Sequence, residues 1–306
     1  MLARLVREFP SLSTGVRHPA YVVFAKNRGL VNASAVQASA SLDSSRASHG
    51  VFGELWSYRE LLRRLVIRNL KVRYQRSVLG FAWALLNPLL TIAILVGVFG
   101  VIIRLPVEQY WAFLLSGYFA WVFVMHTLGT STFAISEQAS IVKSVALPTE
   151  ILVLSAVTSR LIELVAELML VVLVLVVVRH GGIPISLVLL PVLVTILLLM
   201  TVGLALPAAC LAVFFRDVQH AMPVALTMLA YISPVFYPVD LVPDRLRMLY
   251  MLNPIAGVLT LFHRVLYEGR FPSASHLFVV SLAAILIFVI GYAFFRRYRA
   301  LLAEIV

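Results

Sequence analysis

The sequence predicts an all-α polytopic membrane protein. It has six transmembrane helices, an N-terminal amphipathic helix at the membrane interface, and two short extracytoplasmic helices between the last two spans. Composition is the first observation behind this: 61% of the 306 residues are hydrophobic and 13% are charged, against about 45–50% and about 25% in soluble domains. The second is a mean hydropathy of +0.98, more apolar surface than a water-soluble core can hide. The third is the placement of the basic residues, which gather at the ends of apolar runs as topology determinants do. That placement accounts for the net charge of +11 without a nucleic-acid partner. Cys210 is the only cysteine, which excludes an intrachain disulfide and a cysteine metal cluster.

Residues 1–53 stand apart. The stretch "NASAVQASASLDSSRASHG" (32–50) is Ser/Ala-rich, has no core-forming period, and reads as disordered. The stretch before it has no apolar block leading to a small-residue cleavage site, so a secretory signal is not expected; its Arg and Ser content leaves a transit peptide as the weaker alternative. Residues 54–79 follow as a basic amphipathic segment. Here Leu61, Leu62, Leu65, Val66 and Leu70 alternate with Arg and Lys at near-helical spacing, as in a helix lying among anionic headgroups. "SVLG" ends that helix, and Gly80 supplies the backbone freedom for a sharp turn. Trp83 then opens the first apolar run as interfacial aromatics do. The segment reads either as a topology anchor or as a receptor for an anionic lipid headgroup, through Arg68, Lys71, Arg73, Tyr74, Arg76 and Ser77.

A span needs about 20 mostly apolar residues. Six runs qualify: 81–103, 110–135, 149–178, 185–214, 221–238 and 275–295. The third and fourth are long enough to tilt. The fifth is short and carries Pro223 and Pro234, which predicts a kinked or broken helix. With the N-terminus inside, the cytoplasmic segments hold most of the cations, among them Arg59, Arg63, Arg64, Lys143, Arg216, Arg296, Arg297 and Arg299. The positive-inside rule therefore places both termini, including the tail 301–306, in the cytoplasm. Residues 239–274 are too apolar for a solvated loop and too interrupted to span, and read as two short helices broken at Asn253–Pro254 that dip into the membrane or lie along it. A short cytoplasmic connection (136–150) ends at Pro148, with Ile141, Val142 and Lys143 on a small amphipathic helix.

The catalytic motifs are missing. No G-x-x-x-x-G-K-[ST] loop precedes Lys26, Lys71 or Lys143, so ATP hydrolysis is not expected on this chain. Neither a G-x-S-x-G elbow, nor a Cys–His pair, nor His residues at metal-ligand spacing occur, and no inverted repeat is apparent. One polar constellation lies within a span. Arg160, Glu163 and Glu167 share a helix face, and Glu167, twelve residues before Arg179, sits about 18 Å from the outer end. Intramembrane acids suggest proton coupling. The structural reading, an Arg160–Glu163 pair with Glu167 on a neighbouring helix or a wet cavity, is preferred. Tyr118, Trp121, Tyr231, Phe236 and Tyr237 are candidates to line a saccharide conduit, against an ordinary aromatic belt.

"LKVRYQRSVLGFAWALLNP" (70–88) resembles the signature of type-2 ABC exporter permeases of the polysaccharide, O-antigen and teichoic acid class, the Wzm, TagG and KpsM relatives. "IVKSVALPTEIL" (141–152), "FFRDVQHAMPV" (214–224), "ISPVFYP" (232–238) and "LNPIAGV" (252–258) continue it in order over residues 55–300. Asn69, where an acid is expected, and the second acid of the Glu163/Glu167 pair depart from the pattern. The resemblance implies a permease domain over 80–300 in a bacterial inner membrane, working as a homodimer with two separate ABC ATPase subunits that carry ATP and Mg. It also implies a polyprenyl-pyrophosphate-linked glycan as substrate, such as an O-antigen, teichoic acid, capsule or galactan. Arg68 to Gly80 would flank its site of access, Ile141 to Lys143 would dock the ATPase, and the helices of 239–274 would be gate helices. The competing readings are a permease for small lipids or drugs, a proton-coupled carrier using Glu163 and Glu167, and an enzyme acting on polyprenyl-linked sugars.

Overall fold

The computed structural model describes residues 58–75, 77–138, 148–179 and 184–305. The expected disordered extension, Arg76 and the expected docking residues Ile141, Val142 and Lys143 lie outside them. Within the described residues the chain is helical throughout, with no strand. That is the form an apolar chain takes where the backbone has no water to satisfy its polar groups. Helix α1 covers Arg59–Tyr74, α2 Ala82–Leu95 with a π-helical continuation Val96–Ile102, and α3 Tyr110–Ser131. Next come α4, Glu150–Arg179; α5, Leu190–Phe214, entered through a 3-10 turn Ile185–Leu189; and α6, Asp217–Tyr231. Helix α7 is Asp244–Met251, α8 is Pro254–Phe262 continued by a π-helical turn His263–Tyr267, and α9 is Ala274–Ile305.

Among the described residues, five helices are long and apolar enough to cross a membrane: Ala82–Ile102, Tyr110–Ser131, Glu150–Val178, Ile185–Phe214 and Ala274–Leu302. The sixth expected crossing, 221–238, is helical only as far as Tyr231, and α6 has 15 residues, or about 22 Å. Pro234 sets the limit. Its ring disfavours helical geometry at Ser233, and Pro has no N–H to continue the ladder. Helix α9 runs through to Ile305 and so includes most of the expected tail 301–306.

Helix α3 is the hub. Along its apolar stretch 83% of residues are buried, against 11% for α2 and 17% for α9, because α2, α4, α5, α6 and α8 pack around it, whereas α2 and α9 leave their outer faces apolar and open. Lipid is as apolar as leucine, so packing of small residues rather than water exclusion joins such helices. Helices α5 and α9 show this. A Cβ on Gly291 of α9 would land on the Gly203 carbonyl, and one on Gly203 would stand 2.6 Å from the Phe288 backbone. Around that crossing α5 buries Ala205, Ala208, Ala209, Cys210 and Ala212.

The segment 239–274 contains two helices meeting at Asn253, where the sequence places the break. Asn253 caps α8 by accepting the Ile255 N–H at 3.0 Å and donates through Nδ2 to the Ser233 hydroxyl at 2.8 Å. Pro254 stands at the first helical position, where its missing N–H has no intrahelical partner to lose.

Candidate functional site

Helix α1 buries Leu65 and Val66 against α4, and the contacts along this seam become polar towards its C-terminus. Asn69 Nδ2 donates to the Ser155 hydroxyl at 3.3 Å, which gives the residue that departs from the family pattern a partner of its own. Four residues on, Arg73 pairs with Glu163, so the helices run in the same sense and cross obliquely. Tyr74 donates to the same carboxylate oxygen, Oε1, at 2.6 Å. Arg160, one turn back on α4, reaches the other oxygen, Oε2, at 2.8 Å. Glu163 thus accepts from two guanidinium groups and a phenol while its side chain is 6% exposed. Burial, and then the carboxylate beside it, push the Tyr74 phenol well above its ordinary pKa, so it stays a donor.

The chain leaves α1 at Gln75 in extended geometry and turns at Gly80, whose φ is +50°. A Cβ there would meet nothing within 4 Å. The position therefore needs glycine for its backbone conformation and not for space. The turn brings Phe81 edge-on to Tyr74, with ring centroids 5.3 Å apart, and starts α2 beside α1.

Between α1, α2, α3 and α4 lies a cavity of about 250 Å³, lined among others by Arg73, Tyr74, Ser77, Trp83, Asn87, His126, Arg160, Glu163 and Glu167. Two groups of residues that the sequence reading treats separately, the headgroup segment and the intramembrane polar face, meet on this one cavity. Arg68 and Lys71 do not line it; both are exposed on α1. Glu167 is 4% exposed, and among the described residues it makes no hydrogen bond or ion pair. Asn87 and His126 were not foreseen as lining residues. A single histidine in an apolar helix and an asparagine before a proline give no local signal of a shared cavity. No group of His, Cys, Asp or Glu suited to a metal ion occurs among the described residues.

The candidate conduit aromatics divide. Tyr118 and Trp121 are buried in α3, whereas Tyr231 is 61% exposed. Tyr231 and Phe236 have ring centroids 5.6 Å apart, and the Tyr237 hydroxyl donates to the Tyr231 carbonyl. The 232–238 turn that carries Phe236 and Tyr237 is fastened from two further elements. The Tyr110 hydroxyl donates to the Phe236 carbonyl at 2.7 Å, and His263 Nε2 lies 2.8 Å from the Pro234 carbonyl. The His263 ring stacks on Phe113 at 4.1 Å, and its Nδ1 is 2.7 Å from the Ser116 hydroxyl.

The pattern of the ABC-2 type transporter family matches residues 60–267, which contain the whole α1–α4 cluster and the fastened turn. The chain belongs to the ABC-2 type transporter family. Among ABC-2 relatives it is similar to the O-antigen export system permease protein RfbA of Myxococcus xanthus, 32% identical over 254 residues, covering 82% of this chain and 97% of that protein. RfbA of Klebsiella pneumoniae is 26% identical over 248 residues, covering 80% and 95%. The polysialic acid transport protein KpsM of Escherichia coli is 24% identical over 244 residues, covering 78% and 94%. The family's matched stretch begins one residue into α1, so the basic helix is part of the ABC-2 domain and not an appendage to it.

Proposed function

We propose that this chain is the transmembrane subunit of an ATP-driven exporter that moves a polyprenyl-pyrophosphate-linked polysaccharide from the cytoplasmic to the outer face of a bacterial inner membrane. The observation that carries this reading is the near full-length similarity to an O-antigen export permease, supported by similarity to a polysialic acid transporter. The chain works as a homodimer with two ABC ATPase subunits, which bind ATP and Mg and dock at residues 141–143. Helix α6 and the 232–238 turn together make the sixth crossing, which returns both termini to the cytoplasm. Helices α7 and α8 then form the gate on the outer side, and Tyr231, exposed at the end of α6, flanks the conduit with the half-buried Phe236 and Tyr237 of the turn.

In this reading the cavity between α1 and α4 is where the lipid-linked phosphate is received. Arg68 and Lys71, exposed on α1, draw the anion in from the surface. Arg73, Tyr74, Ser77 and Trp83 bound the cavity. Arg73 and Arg160 both reach this cavity and supply the guanidinium donors that a phosphate needs. Glu163, with three donors on it, is poorly suited to carry protons; the proton-coupled alternative therefore rests on Glu167 alone. The test is depletion of the chain in its native cells. Lipid-linked glycan is expected to accumulate out of reach of a membrane-impermeant glycan label, and normal surface labelling after depletion overturns the proposal.

A further inference from the structure

Glu167 poses a problem that the headgroup site does not solve. Its side chain is shielded from bulk solvent, faces a cavity and makes no hydrogen bond or ion pair among the described residues. A shielded polar group without a protein partner bears a desolvation cost that a ligand donor would offset. Glu163, one turn earlier, meets that cost with three donors. An ionised phosphate, like a carboxylate oxygen, only accepts hydrogen bonds, so a phosphate held by Arg73 and Arg160 supplies Glu167 with no donor. What suits it is a neutral group with hydroxyl or amide hydrogens.

Its position narrows this further. Glu167 lies four residues beyond Glu163, about 6 Å along α4, an offset on the scale of one sugar ring. On the facing helix Trp83 and Asn87 are also one turn apart and both line the cavity. An aromatic ring and an amide thus share the cavity with the two acids. The volume, about 250 Å³, falls below the roughly 300–1,000 Å³ of drug-sized sites. Its size suits a headgroup, a phosphate with its first sugar, and not a length of glycan.

We infer that Glu167, with Asn87, hydrogen-bonds the first sugar of the lipid-linked glycan, the one attached to the phosphate, and so makes the cavity selective for a sugar-bearing over a bare lipid diphosphate. This inference rests on the proposed function and assigns the sugar-reading residue within it.

The test uses the full chain in lipid nanodiscs and two probes: a short polyprenyl diphosphate, and the same molecule carrying one N-acetylglucosamine, chosen because it offers both hydroxyls and an amide N–H. Binding is measured by calorimetry for the wild type, Glu167→Met, which keeps volume and cannot hydrogen-bond, and Glu167→Gln, which keeps hydrogen bonding. The wild type is expected to prefer the sugar-bearing probe by about ten- to hundredfold, as one hydrogen bond to a buried polar group allows. Glu167→Met is expected to erase the preference while binding the bare diphosphate within about twofold of wild type. Glu167→Gln is expected to recover part of it. A preference that survives in Glu167→Met, or none in the wild type, overturns the inference and leaves the headgroup site standing. A parallel loss of both probes in Glu167→Met overturns it too, because Glu167 then only shapes the cavity. If neither probe binds the wild type, the headgroup reading falls with it. Should Glu167→Met not fold, Glu167→Gln with unchanged preference and an Asn87→Ala variant with unchanged preference together overturn it.

Discussion

The Tyr74 hydroxyl donates to Glu163 Oε1 at 2.6 Å although the two residues stand 89 positions apart in sequence. This contact and the Arg73 pair beside it fix the end of the basic helix α1 against α4. They also set the geometry of the polar cavity, since α1, α4 and the Gly80 turn together determine where Trp83 and α2 begin.

Glu163→Ala is expected to be among the most destabilising single changes in the chain. It leaves Arg73 and Arg160, with side chains 24% and 13% exposed, facing each other without a carboxylate. Breaking such a buried pair costs about 3–5 kcal/mol. Tyr74→Phe removes one hydrogen bond to a charged group and should cost about 1.5–3 kcal/mol. Unfolding midpoints in detergent check the order, and the double variant should lose less than the sum of the two, because both act on one carboxylate.

The α5–α9 crossing depends on the absence of side chains. Gly291→Ala and Gly203→Ala each place a Cβ against backbone, which cannot yield as a flexible side chain can. Each is expected to cost at least about 1–3 kcal/mol. Gly97→Ala, where a Cβ meets nothing within 4 Å, is the matched control and should leave thermal stability nearly unchanged.

His263→Ala is expected to loosen the 232–238 turn. It leaves the Pro234 carbonyl without its imidazole partner, at about 1–3 kcal/mol for a buried group left unsatisfied, while the Ser116 hydroxyl keeps its bond to the Phe113 carbonyl. A cysteine placed at Phe236 should then react faster with a maleimide than in the His263 parent. The single natural cysteine, Cys210, is buried and contributes little background. Equal labelling rates would show that the turn does not depend on His263.

Ile141→Asp together with Val142→Asp is expected to abolish co-purification of the ATPase subunit while leaving the permease folded. A complex that survives both substitutions removes residues 141–143 from the docking surface.

Much of the architecture can be read from local chemistry. Apolar run lengths locate the five long helices, the SVLG stretch announces the turn that Gly80 makes at φ +50°, and Asn253–Pro254 marks a helix start by capping rules. The Arg160–Glu163 pair follows from helical spacing alone. The contacts that join distant elements have no such local mark. Nothing near Arg73 or Tyr74 announces a carboxylate on α4, so the headgroup segment and the acidic face read as separate features. The end of α6 at Tyr231 was masked by a different effect: the apolar run continues to 238, whereas Pro234 stops the helix, and hydropathy does not register the difference.

The central claim is that a partner ATPase drives this permease in moving a lipid-linked polysaccharide. It is tested most directly by purifying the chain from its native membrane in mild detergent and measuring ATP hydrolysis in the preparation. The account predicts an ABC ATPase in equal amount with the chain, whose hydrolysis rises on addition of polyprenyl-diphosphate-linked glycan. A chain that purifies alone, or with an ATPase indifferent to that glycan, contradicts it.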